Sequence, residues 1–109
     1  MSIYGKLPKE IKKYYERELR QYWNNKELIK NIETTKLNTR RIIFLEKRIQ
    51  NIEEVISRLS EMELTVFKYI FKYNMDWRFC LTTKNIDKNT YYSILNKVIY
   101  MLAEEEGDI

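Results

Sequence analysis

The sequence predicts an all-α fold: an N-terminal long helical hairpin followed by a three-helix unit that contains a helix-turn-helix. Three observations predict it. The chain of 109 residues has only two glycines and one proline, which leaves few places for the tight turns of β-hairpins. Apolar residues recur at three- and four-residue steps over most of its length, the period of a helix buried on one side. Helix-start signals stand at intervals along the chain, at Pro8, Asn38 or Thr39, Ser60 and Asp87.

Ser2 to Lys6 is expected to be a frayed start. Pro8 suits the first turn of a helix, where a missing N–H costs nothing. That first helix is expected to run from Pro8 to about Glu33, with Ile11, Tyr15, Leu19, Tyr22, Ile29 and Ile32 along one side and Tyr14 and Trp23 widening the stripe. Such a stripe needs a partner. Thr34 to Asn38 reads as a connection, and the next helix carries Ile42, Leu45, Ile49, Ile52, Ile56 and Leu59 at alternating steps of three and four, the seam of a coiled coil. Pairing with the first helix in an antiparallel hairpin is favoured over a homodimer seam, because the first helix has its own stripe to bury and the connection is short.

Ser60 and Glu63 form the pattern S-x-x-E of a capping box ahead of the apolar run Leu64, Val66, Phe67, Ile70 and Phe71. A third helix is therefore expected from about Glu61 to Tyr73 or Asn74. Its apolar residues cover more than one face, which predicts a central position. A short helix from Trp77 to Thr83 follows, burying Trp77, Cys80 and Leu81. The chain should turn at Asn85, since asparagine tolerates the left-handed conformation of a tight helix exit, with Ile86 plugging the corner. Asp87 suits the N-cap of a last helix running to about Glu104. Tyr91, Ile94, Leu95, Val98 and Leu102 share one face of it; Lys88, Asn89, Tyr92, Ser93 and Asn96 share the other. At 109 residues the chain is expected to be one domain, with a helical hairpin or coiled-coil region over residues 1–59 and a helix-turn-helix region over 60–109 that form one compact unit or two closely packed parts.

With no histidine and one cysteine, the chain cannot build a zinc finger, a Cys/His dyad or an intrachain disulfide. Cys80 reads as a small core residue. The carboxylates fall on lysine-rich helical surfaces, so no catalytic residues, no metal ligands and no cofactor are expected, and the chain is not read as an enzyme. Met1 to Glu10 is unlike a secretory signal and no run is long enough to span a bilayer; a cytoplasmic protein without a membrane partner is expected.

The formal charge of +4 is unevenly spread. Residues 1–59 hold fourteen Lys and Arg against eight Asp and Glu, whereas residues 60–109 hold six against eight. Much of the acidity lies in the tail Glu104-Glu105-Glu106-Gly107-Asp108. The basic half reads either as a solvated helical face or as a surface that meets phosphates.

The pattern Leu59-Ser60-Glu61-Met62-Glu63, followed by Tyr73, Trp77, Ile86, Asp87, Thr90, Tyr91 and Tyr92, resembles the fourth region of bacterial sigma factors as it occurs in small phage transcriptional regulators of the ArpU and RinA type. The stretch Glu18-Leu19-Arg20-Gln21-Tyr22-Trp23-Asn24-Asn25-Lys26 is similar to their leading helix. The chain departs from the family's pattern at Leu81, Lys84, Asn85 and Ser93. The resemblance implies a sigma region-four-like helix-turn-helix and a sequence-specific DNA-binding regulator of phage or prophage late genes acting at promoters.

On this reading the last helix enters the major groove of double-stranded DNA by its N-terminal end. Lys84 and Lys88 neutralise phosphates. Asn89, Tyr92, Ser93 and Asn96 face bases, with Asn89 or Asn96 able to pair bidentately with adenine; Thr90 and Lys97 complete the set, and Arg78 and Arg40-Arg41 are further candidates for backbone contacts. Two other readings stay open. A small terminase subunit would combine the same motif with coiled-coil helices in a ring on packaging-site DNA. A protein that docks on RNA polymerase or a sigma factor, using Tyr92 and Tyr100, would need no DNA.

Overall fold

In a computed structural model that describes residues 7–31 and 38–109, the chain is all-α, with no strand among the described residues. The helices are α1 (Lys9–Arg20), α2 (Tyr22–Lys30), α3 (Thr39–Ser57), α4 (Glu61–Phe67), α5 (Trp77–Lys84) and α6 (Lys88–Glu105), and α4 is prolonged by a π-helical turn over Lys68–Lys72. None is long and apolar enough to cross a membrane. The frayed start, the stripe position Ile32 and most of the Thr34-to-Asn38 connection lie outside the described residues.

The single first helix expected from Pro8 to Glu33 is divided at Gln21. The helical ladder is strained there rather than lost: the Gln21 N–H is shared between the carbonyls of Arg17 and Glu18, 3.2 Å from each. The bend gives the two halves different partners. α1 lies along α6, burying Tyr15 and Leu19, whereas α2 turns onto α3, burying Tyr22 and Asn25. The apolar stripe of α1 is covered chiefly by the C-terminal helix, while Arg48 of α3 reaches Tyr14 and Glu18 of α1. Arg20 secures the bend: its guanidinium donates to the carbonyl of Ile70 at 2.9 Å and to Asn74 Oδ1 at 2.7 Å, where a cation is favoured by unsatisfied carbonyls at a helix C-terminus.

α3 begins where expected, with Asn38 Oδ1 accepting from the Arg41 N–H at 2.8 Å. Leu45 and Ile52 of the seam are buried, and Ile49, Ile56 and Leu59 pack against the core. The helix also buries Arg48 and Asn51, which the apolar pattern had left outside. The capping box before α4 is formed in both directions: Ser60 Oγ accepts from the Glu63 N–H at 3.2 Å, and Glu63 Oε1 accepts from the Ser60 N–H at 2.9 Å. After the π turn, Asn74 takes a left-handed φ of 54° and the Met75 N–H returns to the Tyr69 carbonyl at 2.8 Å, the closure that satisfies a last-turn carbonyl.

The central element is α6, not the α4 helix that the sequence placed there. α6 is packed by α1, α3, α4 and α5, so beyond the expected Tyr91, Ile94, Val98 and Leu102 it also buries Ile99 and Ala103. A one-sided stripe could not anticipate contacts arriving from several directions. Side chains from α1 through α6 form one core, in which Leu19, Ile52, Val55, Val66, Phe67, Ile70, Cys80, Val98, Leu102 and Ala103 have no exposed surface, so residues 1–59 and 60–109 share a single interior.

Candidate nucleic-acid interface

The candidate surface is assembled by α5, the turn after it and the first two turns of α6. Asp76 starts α5 by accepting from the Phe79 N–H at 3.1 Å. Cys80 is the buried residue of this short helix, and burial pushes its thiol up from the ordinary range, with the Asp76 charge adding to the shift; a thiol so placed is a poor nucleophile. Leu81 was expected beside it but is 42 % exposed. One residue further along a helix is rotated by about 100°, which turns Leu81 away from the side of α5 that Cys80 buries; Phe79 meets the Tyr69 ring edge-on, with centroids 5.3 Å apart. Trp77 is half-buried rather than buried.

The turn forms as its sequence requires. Asn85 has φ 56°, and the Ile86 N–H reaches back to the Cys80 carbonyl at 3.2 Å, while Ile86 itself is buried. Asp87 Oδ1 then accepts from the Thr90 N–H at 2.7 Å. That backbone hydrogen bond holds the Asp87 carboxyl below the usual carboxylate range. Asp87 is thus committed to the helix cap.

Beyond the cap, Lys88, Asn89, Tyr92 and Ser93 are exposed on one face and Asn96 is half-exposed on the next turn. Tyr92 stands edge-on against Tyr91, with ring centroids 5.1 Å apart. Tyr91 is fixed in turn, since its hydroxyl donates to the Met75 carbonyl at 2.9 Å and burial pushes its pKa up to about 12. An exposed aromatic braced on a buried one is ordered before any ligand arrives. Thr90 is half-buried, with its backbone in the cap.

Two of the expected residues are placed differently from the rest. Lys97 Nζ lies 2.6 Å from Glu63 Oε2, so its charge is already matched by the carboxylate that closes the α4 capping box. Burial tends to raise the Glu63 carboxyl, but Lys97 and the Ser60 N–H outweigh it and leave the carboxyl below its ordinary value. Lys84 is exposed and lines a groove of about 490 Å³ with Ser60, Glu61, Met62, Thr65 and Ile86, on the side of the turn that faces α4.

The pair Trp77 and Arg78 was not read as part of this surface beyond Arg78 as a backbone contact. Lys88 Nζ lies 5.1 Å from the centre of the Trp77 ring and the Arg78 guanidinium 5.5 Å from it, so an aromatic face and two cations meet where α5 and α6 begin. The sequence signal was Trp77 directly after a capping Asp76, at the positive end of a helix. No family model, curated protein or solved structure matches the chain. Among the described residues no group of His, Cys, Asp or Glu could hold a metal ion.

Three carboxylates of the acidic tail are held by other elements, while Glu104 is exposed. Glu105 Oε2 lies 2.9 Å from Arg58, Glu106 Oε2 lies 2.6 Å from Arg48 and accepts from Asn51 at 3.1 Å, and Asp108 accepts from the Tyr15 hydroxyl. These contacts are at the far end of α6, a helix of eighteen residues and hence about 27 Å long. At the end that carries Lys88, Asp76 and Asp87 both serve as helix caps.

Proposed function

We propose that the chain is a sequence-selective, double-stranded DNA-binding transcriptional regulator that inserts the N-terminal end of α6 into the major groove, with α5 and α6 acting as a helix-turn-helix. The observation that carries this reading is the exposed row Lys88, Asn89, Tyr92 and Ser93 directly after a left-handed turn at Asn85. Cationic and amide side chains on the leading turns of a braced helix are what phosphate and base-edge contacts require. Lys88 and Arg78 supply phosphate contacts beside Trp77, and Asn89 and Asn96 supply bidentate partners for adenine. Lys84 serves at the edge. Thr90 orients the helix through its cap, and Lys97 acts through α4 rather than on DNA.

The resemblance of the C-terminal half to phage regulators of the ArpU and RinA type supports a task at phage or prophage late promoters. The test is selection from a randomised duplex pool, followed by titration of the enriched sequence with the parent protein and with a Lys88→Ala, Asn89→Ala double variant. An enriched motif whose binding is steeply salt-dependent and lost in the variant is expected. Failure of a folded protein to enrich any motif would overturn the proposal.

A further inference from the structure

We propose that the N-terminal two turns of α3 are a docking surface for an acidic, amphipathic segment of a protein partner, independent of the DNA-facing end of α6. Arg40, Ile43, Phe44 and Lys47 recur at i, i+3, i+4 and i+7, one face of the helix, and all four are exposed, Ile43 by 61 % and Phe44 by 44 %. An apolar pair between cations on a solvent-facing stripe breaks the ordinary pattern of a surface helix. Glu46 flanks the stripe, about 60° round the helix from Ile43, and the later carboxylates of α3 are occupied, Glu53 by Lys26 and Tyr22 and Glu54 by Arg58. Among the described residues no carboxylate forms an ion pair with Arg40, Arg41 or Lys47. The first turn of α3 holds no acid, so Arg40 and Arg41 add to the positive end of the helix dipole instead of offsetting it.

The surface is also held in place before binding. The Arg41 guanidinium lies 5.4 Å from the centre of the Phe44 ring and that of Arg48 5.3 Å from it; Arg48 also lies 5.3 Å from the centre of the Tyr14 ring and donates from Nη2 to the Tyr14 hydroxyl oxygen at 2.7 Å. Tyr14 is itself 41 % exposed. An ordered ladder of aromatic and guanidinium groups pays little side-chain entropy on association, and aromatic residues with arginine are the enriched anchors of protein interfaces. Positive charge calls for an acidic partner, and the aliphatic Ile43 between Arg40 and Lys47 calls for an apolar side chain, which a sugar–phosphate backbone does not offer. Arg48 also holds Glu106, so this surface adjoins the end of α6 opposite Lys88, and both can be occupied together.

The test is a magnetic-resonance titration of the isotope-labelled full chain. The probe is a synthetic helix-forming peptide with Leu and Phe at i, i+3, i+4 and i+7 and Glu elsewhere; its scrambled version, poly-glutamate of equal charge and a short single-stranded oligonucleotide are run beside it. Saturable changes at Arg40 to Lys47 and Tyr14 are expected, with the amphipathic peptide binding at least about tenfold tighter than either acidic control. A folded Arg40→Glu, Arg41→Glu variant should lose the binding and Ile43→Ser should weaken it about tenfold, both changes falling on exposed side chains, whereas Lys88→Ala should leave it unchanged. Equal binding of scrambled peptide or poly-glutamate, preference of these resonances for the oligonucleotide, or no response would each overturn the proposal.

Discussion

Arg48 Nε lies 2.6 Å from Glu106 Oε2 with only 4 % and 14 % of the two side chains exposed, so a residue in the middle of α3 is tied to the one that follows α6. The same guanidinium has Nη1 2.9 Å from Glu18 Oε2, though not aligned for a hydrogen bond. Burial pulls its pKa down, but Tyr14, Glu106 and Glu18 together more than reverse that and it ends above its ordinary value. One cation thus joins α1, α3 and the C-terminal tail.

Arg48→Ala should destabilise the fold by about 3–5 kcal/mol, the range for removing one partner of a buried ion pair, because two carboxylates lose their counter-charge. Glu106→Gln should cost less, since Glu18 still faces the guanidinium. Urea unfolding of the two variants checks the order; equal and small effects would show that the pairing does not hold the layers together.

Asn85 should tolerate glycine and little else. At φ 56° a residue with a Cβ and no local polar group meets a cost of roughly 1–2 kcal/mol, so Asn85→Val should lower stability by about that much while Asn85→Gly stays within about 1 kcal/mol of the parent. Thermal unfolding of the pair measures the difference.

Alkali should unfold the chain through its tyrosines. Burial raises Tyr91 from 10.0 to about 12, burial and the Glu53 hydrogen bond raise Tyr22, and burial and Asp108 raise Tyr15. A phenol with a raised folded-state pKa contributes stability that is intact below the unfolded value and is lost as pH climbs through the folded one. Stability should therefore hold below about pH 10 and fall between about pH 10 and pH 12. Tyr91→Phe should flatten part of that slope in unfolding curves taken across the range.

On duplex DNA, Lys88→Ala should weaken binding to all sequences alike and reduce the salt slope by about one. Asn89→Ala should cost about 1–3 kcal/mol and relax one position of the site. Lys97→Ala should leave the salt slope where it was, because its ammonium is spent on Glu63, and should show instead as a loss of folding stability. Binding isotherms at several salt concentrations separate the three; a lowered slope for Lys97→Ala would place that lysine on DNA after all.

The local signals were legible. Asn38, Ser60 with Glu63, Asn85 and Asp87 occupy capping or left-handed positions, and each is decided by hydrogen bonds within a few residues. The face of α6 with Lys88, Asn89, Tyr92 and Ser93 was legible for the same reason, since helical period alone separates it from Tyr91 and Ile94. The fates of Leu81, Lys97 and Arg48 were not, because each depends on how distant segments arrive beside it: Leu81 is left 42 % exposed, Glu63 reaches Lys97, and Glu18 and Glu106 reach Arg48.

The sequence by itself determined that this chain is helical, where its caps stand and which residues lead its last helix, because those follow from backbone hydrogen bonding and a 3.6-residue period. Tertiary structure decided that the first helix divides at Gln21, that α6 is the centre and that Glu105, Glu106 and Asp108 of the acidic tail are held by Arg58, Arg48 and Tyr15. Those outcomes rest on contacts between residues far apart in the chain, such as Arg20 with Ile70 and Tyr15 with Asp108, whose existence depends on how whole helices share one buried core.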